Sequence, residues 1–125
     1  MAYQPPLHAA LSGTGPTLDL SGRWVNELGS TMVIAQAGTL LTGIYTSAVS
    51  GGTSSTSGTL QGSADGALIS FVVHWDDFQA ITAWVGHQDT TSGELATLWQ
   101  MTSATDPGDE WSSINAGADT FTRLP

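Results

Sequence analysis

A chain of 125 residues can bury one hydrophobic core but not two. Its eleven acidic residues face only Arg23 and Arg123, with no lysine and a net charge of −9, so nucleic acid and anionic membrane surfaces are excluded as partners. Cysteine is absent, which removes disulfides as a source of stability, and no apolar run approaches the roughly 20 residues needed to span a bilayer.

Residues 1–20 contain Pro5-Pro6, Gly13, Gly15 and Pro16 and read as a flexible N-terminal tail. They lack the basic start and apolar centre of a signal peptide. Residues 21–125 read as one β-domain, because fifteen glycines, many threonines and serines, and apolar runs of strand length come without a 3.6-residue period. Turn residues cut this domain into eight strands at 22–27, 31–36, 40–49, 58–64, 67–75, 80–88, 94–103 and 112–123. Short turns make neighbours in sequence antiparallel. Asp65-Gly66 is the best hairpin signal, with positive φ expected at both of its residues. The expected fold is therefore all-β, an eight-stranded antiparallel up-and-down β-barrel whose interior holds one small ligand and whose closure removes exposed edges.

Period-two alternation sorts the side chains onto faces. Phe71, Val73 and Trp75 share one face of the fifth strand, Ala80, Thr82, Trp84 and Gly86 one face of the sixth, and Leu95, Thr97, Trp99 and Met101 one face of the seventh. These are the expected inner walls. Their outer counterparts Val72, Ile81, Ala83, Val85, Ala96 and Leu98 are apolar as well, which suggests that barrels pack on one another. Trp75, Trp84, Trp99 and Trp111 all lie in the second half of the chain, three of them in strands, and Thr82, Thr97 and Asp119 bring small polar groups to the same face. An apolar box with a few polar groups suits binding of a compact ligand with a few polar atoms, not catalysis. Trp24 instead reads as a plug at the closed end.

Enzyme and metal readings find little support. His8, His74 and His87 do not form a metal set, and Asp106-Pro-Gly-Asp-Glu110 lacks the alternating ligands of a calcium loop. Adjacent Asp76 and Asp77 cannot flank a glycosidic bond from opposite sides, and no nucleophile elbow, zinc-protease helix or phosphate loop is present. No catalytic residue and no cofactor is expected.

Several motifs in one order carry a family resemblance: Gly22-Arg-Trp-Val-Asn-Glu-Leu-Gly-Ser-Thr31, Leu41-Thr-Gly-Ile-Tyr-Thr-Ser-Ala-Val49, Thr82-Ala-Trp84, Thr97-Leu-Trp99, and Trp111 followed by Asp119-Thr-Phe-Thr122. Through these the chain, from about Gly22 to Arg123, resembles the avidin/streptavidin family of biotin-binding proteins. The resemblance implies high-affinity, non-catalytic binding of biotin and of biotinylated molecules. Asn26, Ser30 and Tyr45 would donate to the ureido oxygen, Asp119 and Ser47 would accept from the ureido N–H groups, and Thr82 would face the thioether sulfur. Trp75, Trp84, Trp99 and Trp111 match the aromatic positions, and Leu28, Val49 and Met101 belong to the same ligand set.

Departures accompany the match. Ala80 stands where streptavidin-like members commonly have a serine that helps hold the ligand's carboxylate, leaving the backbone N–H near Gly51, in the glycine-rich lid of residues 50–57, as the remaining donor. In tetrameric relatives the tryptophan at Trp111 closes a neighbour's pocket, so a dimer is the smallest complete binding unit. Ala116 and Ala118 replace bulkier side chains at a subunit contact; a homotetramer is favoured, with a dimer as the alternative. The family also suggests secretion. A lipocalin-like carrier of another small cyclic or lipophilic ligand is the competing reading, and burial of Asn26, Ser30, Tyr45 and Asp119 argues against it.

Overall fold

The computed structural model describes residues 9–48 and 55–125. Eight strands close into a barrel in sequence order: β1 (Gly22–Asn26), β2 (Thr31–Ala37), β3 (Leu40–Ser47), β4 (Thr56–Asp65), β5 (Leu68–Trp75), β6 (Ala80–Gln88), β7 (Leu95–Ser103) and β8 (Ile114–Arg123). Every neighbouring pair is antiparallel, and β1 pairs with β8 through Trp24↔Arg123, Val25↔Thr122 and Asn26↔Phe121. The expected all-β meander and its closure are both present. Strand bounds differ from the expected ones by a residue or two at half of the sixteen ends. Val49 and Gly51 lie outside the described residues. A 3-10 turn, Glu110–Ser112, precedes β8 where the sequence suggested continuous strand from residue 112.

The β4–β5 hairpin corrects one expectation. Asp65 pairs with Leu68, which puts Gly66 and Ala67 at the centre of the turn, and only Gly66 has positive φ, at 58°. Asp65 is the last strand residue, and its carboxylate is engaged by the backbone N–H of Gly15. Glycine at the first central position is the primed-turn geometry that tolerates an ordinary residue second.

Inward parity matches the burial. Phe71 and Val73 on β5, Ala80, Thr82 and Trp84 on β6, and Leu95 and Thr97 on β7 are buried, with Trp75, Trp99 and Met101 partly so. The outer set Val72, Ile81, Val85 and Leu98 is exposed, as are Val33, Ile44 and Leu68 on neighbouring strands. A barrel with this much apolar outer surface is not covered by its own chain.

The core is densest at the closed end. Trp24 is fully buried and its indole Nε1 donates to the carbonyl of Leu20 at 2.9 Å. Leu20, which its sequence position places in the tail, is also fully buried. Gln36 holds it there, accepting from the N–H of Leu20 at 2.7 Å and donating to the carbonyls of Leu18 at 2.8 Å and Gly38 at 2.9 Å. The guanidinium of Arg123 lies 4.4 Å from the centre of the Trp24 ring and donates to the carbonyls of Ser21 and, at 2.6 Å, Asp19. Cation, indole and backbone thus seal one mouth of the barrel.

Candidate functional site

The opposite mouth is formed by the C-terminal ends of the odd strands and the N-terminal ends of the even ones. There the inward residues leave a cavity of ≈ 270 Å³. Its wall is made by Asn26, Leu28, Ser30, Tyr45, Ser47, Trp75, Thr82, Trp84, Trp99, Met101 and Asp119. These are eleven of the residues expected from the sequence. Val49 and Gly51 lie outside the described residues, and Trp111 lies elsewhere: it sits on the 3-10 turn, 84% exposed, and does not line the cavity of its own chain.

One side of the cavity presents donors. Asn26 closes β1, and the tight turn that follows takes its side-chain oxygen: Oδ1 accepts from the N–H of Leu28 at 3.0 Å and of Ser30 at 2.9 Å. The amide nitrogen therefore has to point inward, where Nδ2 lies 3.4 Å from the Tyr45 hydroxyl. Ser30 hydrogen-bonds the same hydroxyl, while its Oγ accepts from the N–H of Ala48 at 3.1 Å. Three donors from β1, the β1–β2 turn and β3 converge on one point. Burial and the nearby negative charge of Asp119 push the Tyr45 phenol well above its ordinary value, so it stays protonated and able to donate.

Facing them from β8 is Asp119, buried at 7% exposure. Its Oδ2 accepts from the indole Nε1 of Trp84 at 2.9 Å, and its main-chain carbonyl accepts from Thr97 Oγ1 at 2.8 Å. Desolvation raises the Asp119 carboxyl above its ordinary value, Glu27 adds to this, and the hydrogen bonds from Trp84 and Asn26 oppose it. The remaining lone pairs can accept a ligand N–H. Thr82 accepts from Trp75 Nε1 at 2.9 Å, which leaves its hydroxyl hydrogen free to point at a ligand. Among the described residues no buried side-chain polar atom lacks a partner, so the polar groups are held in place before any ligand arrives.

The aromatic residues differ in role. Trp84 is sandwiched, 4.7 Å from Tyr45 at an interplanar angle of 28° and 4.9 Å from Phe71 at 15°, so only its edge reaches the cavity floor. Trp75 meets Tyr45 edge-on at 5.6 Å and 89°. Trp99 lies across β8, where its register partner is Gly117; a Cβ at Gly117 would sit 2.5 Å from the Trp99 ring. The sequence reading missed Gly117, whose only signal is its place opposite a tryptophan. A second hollow of ≈ 410 Å³ continues outward from the cavity, sharing Ser47, Trp75 and Met101 and adding Thr56, Phe78, Gln79, Ala80, Ser103 and Ala104. Among the described residues no cationic side chain lines it.

A closed eight-stranded meander with hydrogen-bond donors on one wall, a carboxylate on the other and tryptophans between them defines a small-ligand-binding barrel. Residues 15–124 match the avidin family, and the chain belongs to it. It is similar to Afifavidin of Afifella pfennigii, at 32% identity over 111 residues covering 82% of this chain and 68% of that protein. Among solved structures it resembles xenavidin, with a TM-score of 0.72 and 31% identity over 85% of this chain and 97% of the other. The rhizavidin–biotin complex gives a TM-score of 0.72 and 28% identity over 86% and 93%.

Proposed function

We propose that the protein binds biotin in the open mouth of the barrel and does not transform it. The observation that carries this reading is the convergence of the Asn26, Ser30 and Tyr45 donors opposite the Asp119 carboxylate across a cavity walled by tryptophans. A ureido group has this pattern, one oxygen with lone pairs flanked by N–H donors, and the rhizavidin complex holds biotin in a barrel of the same fold. The three donors stabilise partial negative charge on the ureido oxygen, and a dry pocket strengthens each bond. Asp119 and Ser47 accept from the two N–H groups, Thr82 meets the sulfur, and Trp75, Trp84 and Trp99 enclose the rings. Leu28 and Met101 contribute apolar contact. Val49 and Gly51, outside the described residues, complete the set by family resemblance.

The valeryl chain leads into the outer hollow. Ala80 brings no hydrogen bond there, and the net charge of −9 disfavours a second anion, so the free carboxylate contributes little. Biotin and a biotin amide are expected to bind within about tenfold of each other, which is about 1.4 kcal/mol; a far weaker amide would refute this part of the reading.

The exposure of Trp111 and the apolar outer faces of β5, β6 and β7 fit a homotetramer in which Trp111 closes the neighbouring subunit's site. Light scattering would show it, and a dimer that persists at all concentrations with and without biotin would replace the tetramer. Secretion belongs to the same reading. The first test is titration of tryptophan fluorescence with biotin, then chase with excess competitor. A break at one biotin per chain with slow release is expected, biotin being recovered unchanged. No response at micromolar biotin overturns the assignment.

A further inference from the structure

Glu27 follows Asn26 directly and does not line the cavity. Its carboxylate reaches across to β8, where Oε2 accepts from the backbone N–H of Thr120 at 2.9 Å. Strand pairing between β1 and β8 runs only as far as Asn26↔Phe121. The Glu27 bond therefore extends that join by one step, at the residue next to Asp119. That bond brings the Glu27 carboxylate to the backbone position adjacent to Asp119, where its charge acts on the Asp119 side chain.

Among the described residues the surroundings offer this pair no positive charge. Asp119 is faced by Asn26 and Glu27 from the end of β1, by Tyr45 from β3, by Trp84 from β6 and by Thr97 from β7. None of these side chains is a cation, and Glu27 is the second acid among them. His87 is on the outer face, opposite Ala96, which in turn pairs with Thr120, and Glu94 is engaged by the hydroxyl of Thr122. Arg123 is at the closed end beside Trp24, and Arg23 lies four residues back along β1, roughly 13 Å at strand spacing.

We propose that Glu27 is a positioning residue for the ligand-accepting carboxylate: it fixes β8 at Thr120 and places a second negative charge beside Asp119, making ligand retention sensitive to mild acid. The inference rests on reading the cavity as a biotin site. An ionised Asp119 accepts a ligand N–H through its full charge, whereas a protonated one spends an oxygen on its own hydrogen. Ligand binding thus favours the ionised form. Affinity falls as pH drops through the raised value of the unliganded Asp119, by up to about tenfold per pH unit for a single linked proton. Removing the charge of Glu27 moves that fall to lower pH.

The experiment measures biotin affinity and competitor-chased release from pH 8 to pH 4 for the full chain, E27Q, E27A and D119N, each normalised to its own value at pH 8, with circular dichroism at every pH. Glutamine keeps an acceptor for the Thr120 N–H but has no charge. Wild type is expected to lose affinity on acidification, E27Q to retain more of its pH 8 affinity at the acid end of the range than wild type does, and D119N to give a flat profile. A purely structural Glu27 would instead leave the E27Q profile superimposed on wild type while E27A weakened uniformly, and that result overturns the proposal. A flat wild-type profile overturns it too, with biotin binding intact. Failure of the wild type to bind biotin at pH 8 refutes the biotin reading itself and this inference with it.

Discussion

The two ends of the barrel use one alternation pattern for opposite purposes. Towards the closed end the inward positions carry Ile34, Leu41, Ile69 and Leu95, which fill the space completely around Trp24 and Leu20. Towards the open end the same parity carries Asn26, Tyr45, Thr82, Trp75 and Met101, which rim a hollow. Strand geometry cannot tell the ends apart; side-chain size and polarity do. The difference teaches that stability and binding are separated along the barrel axis. The closed half provides the apolar burial that folds the chain, and the open half keeps buried polar groups that a fold alone would not need. The join between them is the aromatic layer in which Trp84 lies stacked between Tyr45 and Phe71.

That separation can be broken by mutation. The largest expected effect is at the closed end: Trp24→Ala removes a fully buried indole, its bond to Leu20 and its contact with Arg123. It should cost about 3–5 kcal/mol of stability, read as a lower urea midpoint, while the molecules that remain folded still bind biotin. A variant that folds normally but loses the ligand would contradict the separation. At the open end Tyr45→Phe removes one of three converging donors and keeps the ring stack. Binding should weaken by about 1–3 kcal/mol, measured by titration, with a smaller change in the unfolding midpoint. Gly117→Ala tests the wall itself, because the added methyl would collide with the Trp99 ring at 2.5 Å. Overpacking of about 1–3 kcal/mol is expected, lowering stability and affinity together, and a neutral alanine would show that Trp99 can shift without consequence.

The smallest effect concerns pH and the unliganded protein. Asp119 is raised by burial, so the folded state takes up this proton more readily than the unfolded state does. Its ionisation therefore weakens folding at neutral pH, and the stability it withholds returns as pH falls through the raised value towards the ordinary carboxylate range. Asp19 and Asp89 are shifted the opposite way by hydrogen bonds from Ser21 and from Ser92 and Thr91, so whole-protein stability mixes the two signs. Comparison with D119N isolates this contribution: the stability gap between wild type and D119N should narrow as pH falls from 8 towards the ordinary carboxylate range in urea unfolding. A constant gap would mean that Asp119 is not titrating in that range.

Much of the site was legible because strand parity is rigid. Once turns fixed the phase, Thr82, Trp84, Trp99 and Met101 had to share a face, and the family motifs supplied Asn26, Ser30, Tyr45 and Asp119. The roles within the site were less legible. Trp84 reads like any box tryptophan, yet stacking on both faces makes it a floor. The hairpin at Gly66 was displaced by one residue because Gly66 takes the first central position with positive φ, which leaves Asp65 in the strand with its carboxylate engaged by Gly15, a contact fifty residues away that no local turn rule contains. The anchoring of Leu20 by Gln36 and Trp24 is long-range in the same sense.

The amino-acid sequence by itself determined the eight-stranded all-β plan, the inner and outer faces and the residues available to a ligand. The plan and the faces follow from local backbone preferences and a two-residue period that no distant contact alters, while Asn26, Ser30, Tyr45 and Asp119 were marked by the family resemblance. Tertiary structure alone decided how the closed mouth is sealed and which carboxylate stands beside Asp119. Each depends on a hydrogen bond or ring contact between strands that meet only when the barrel closes.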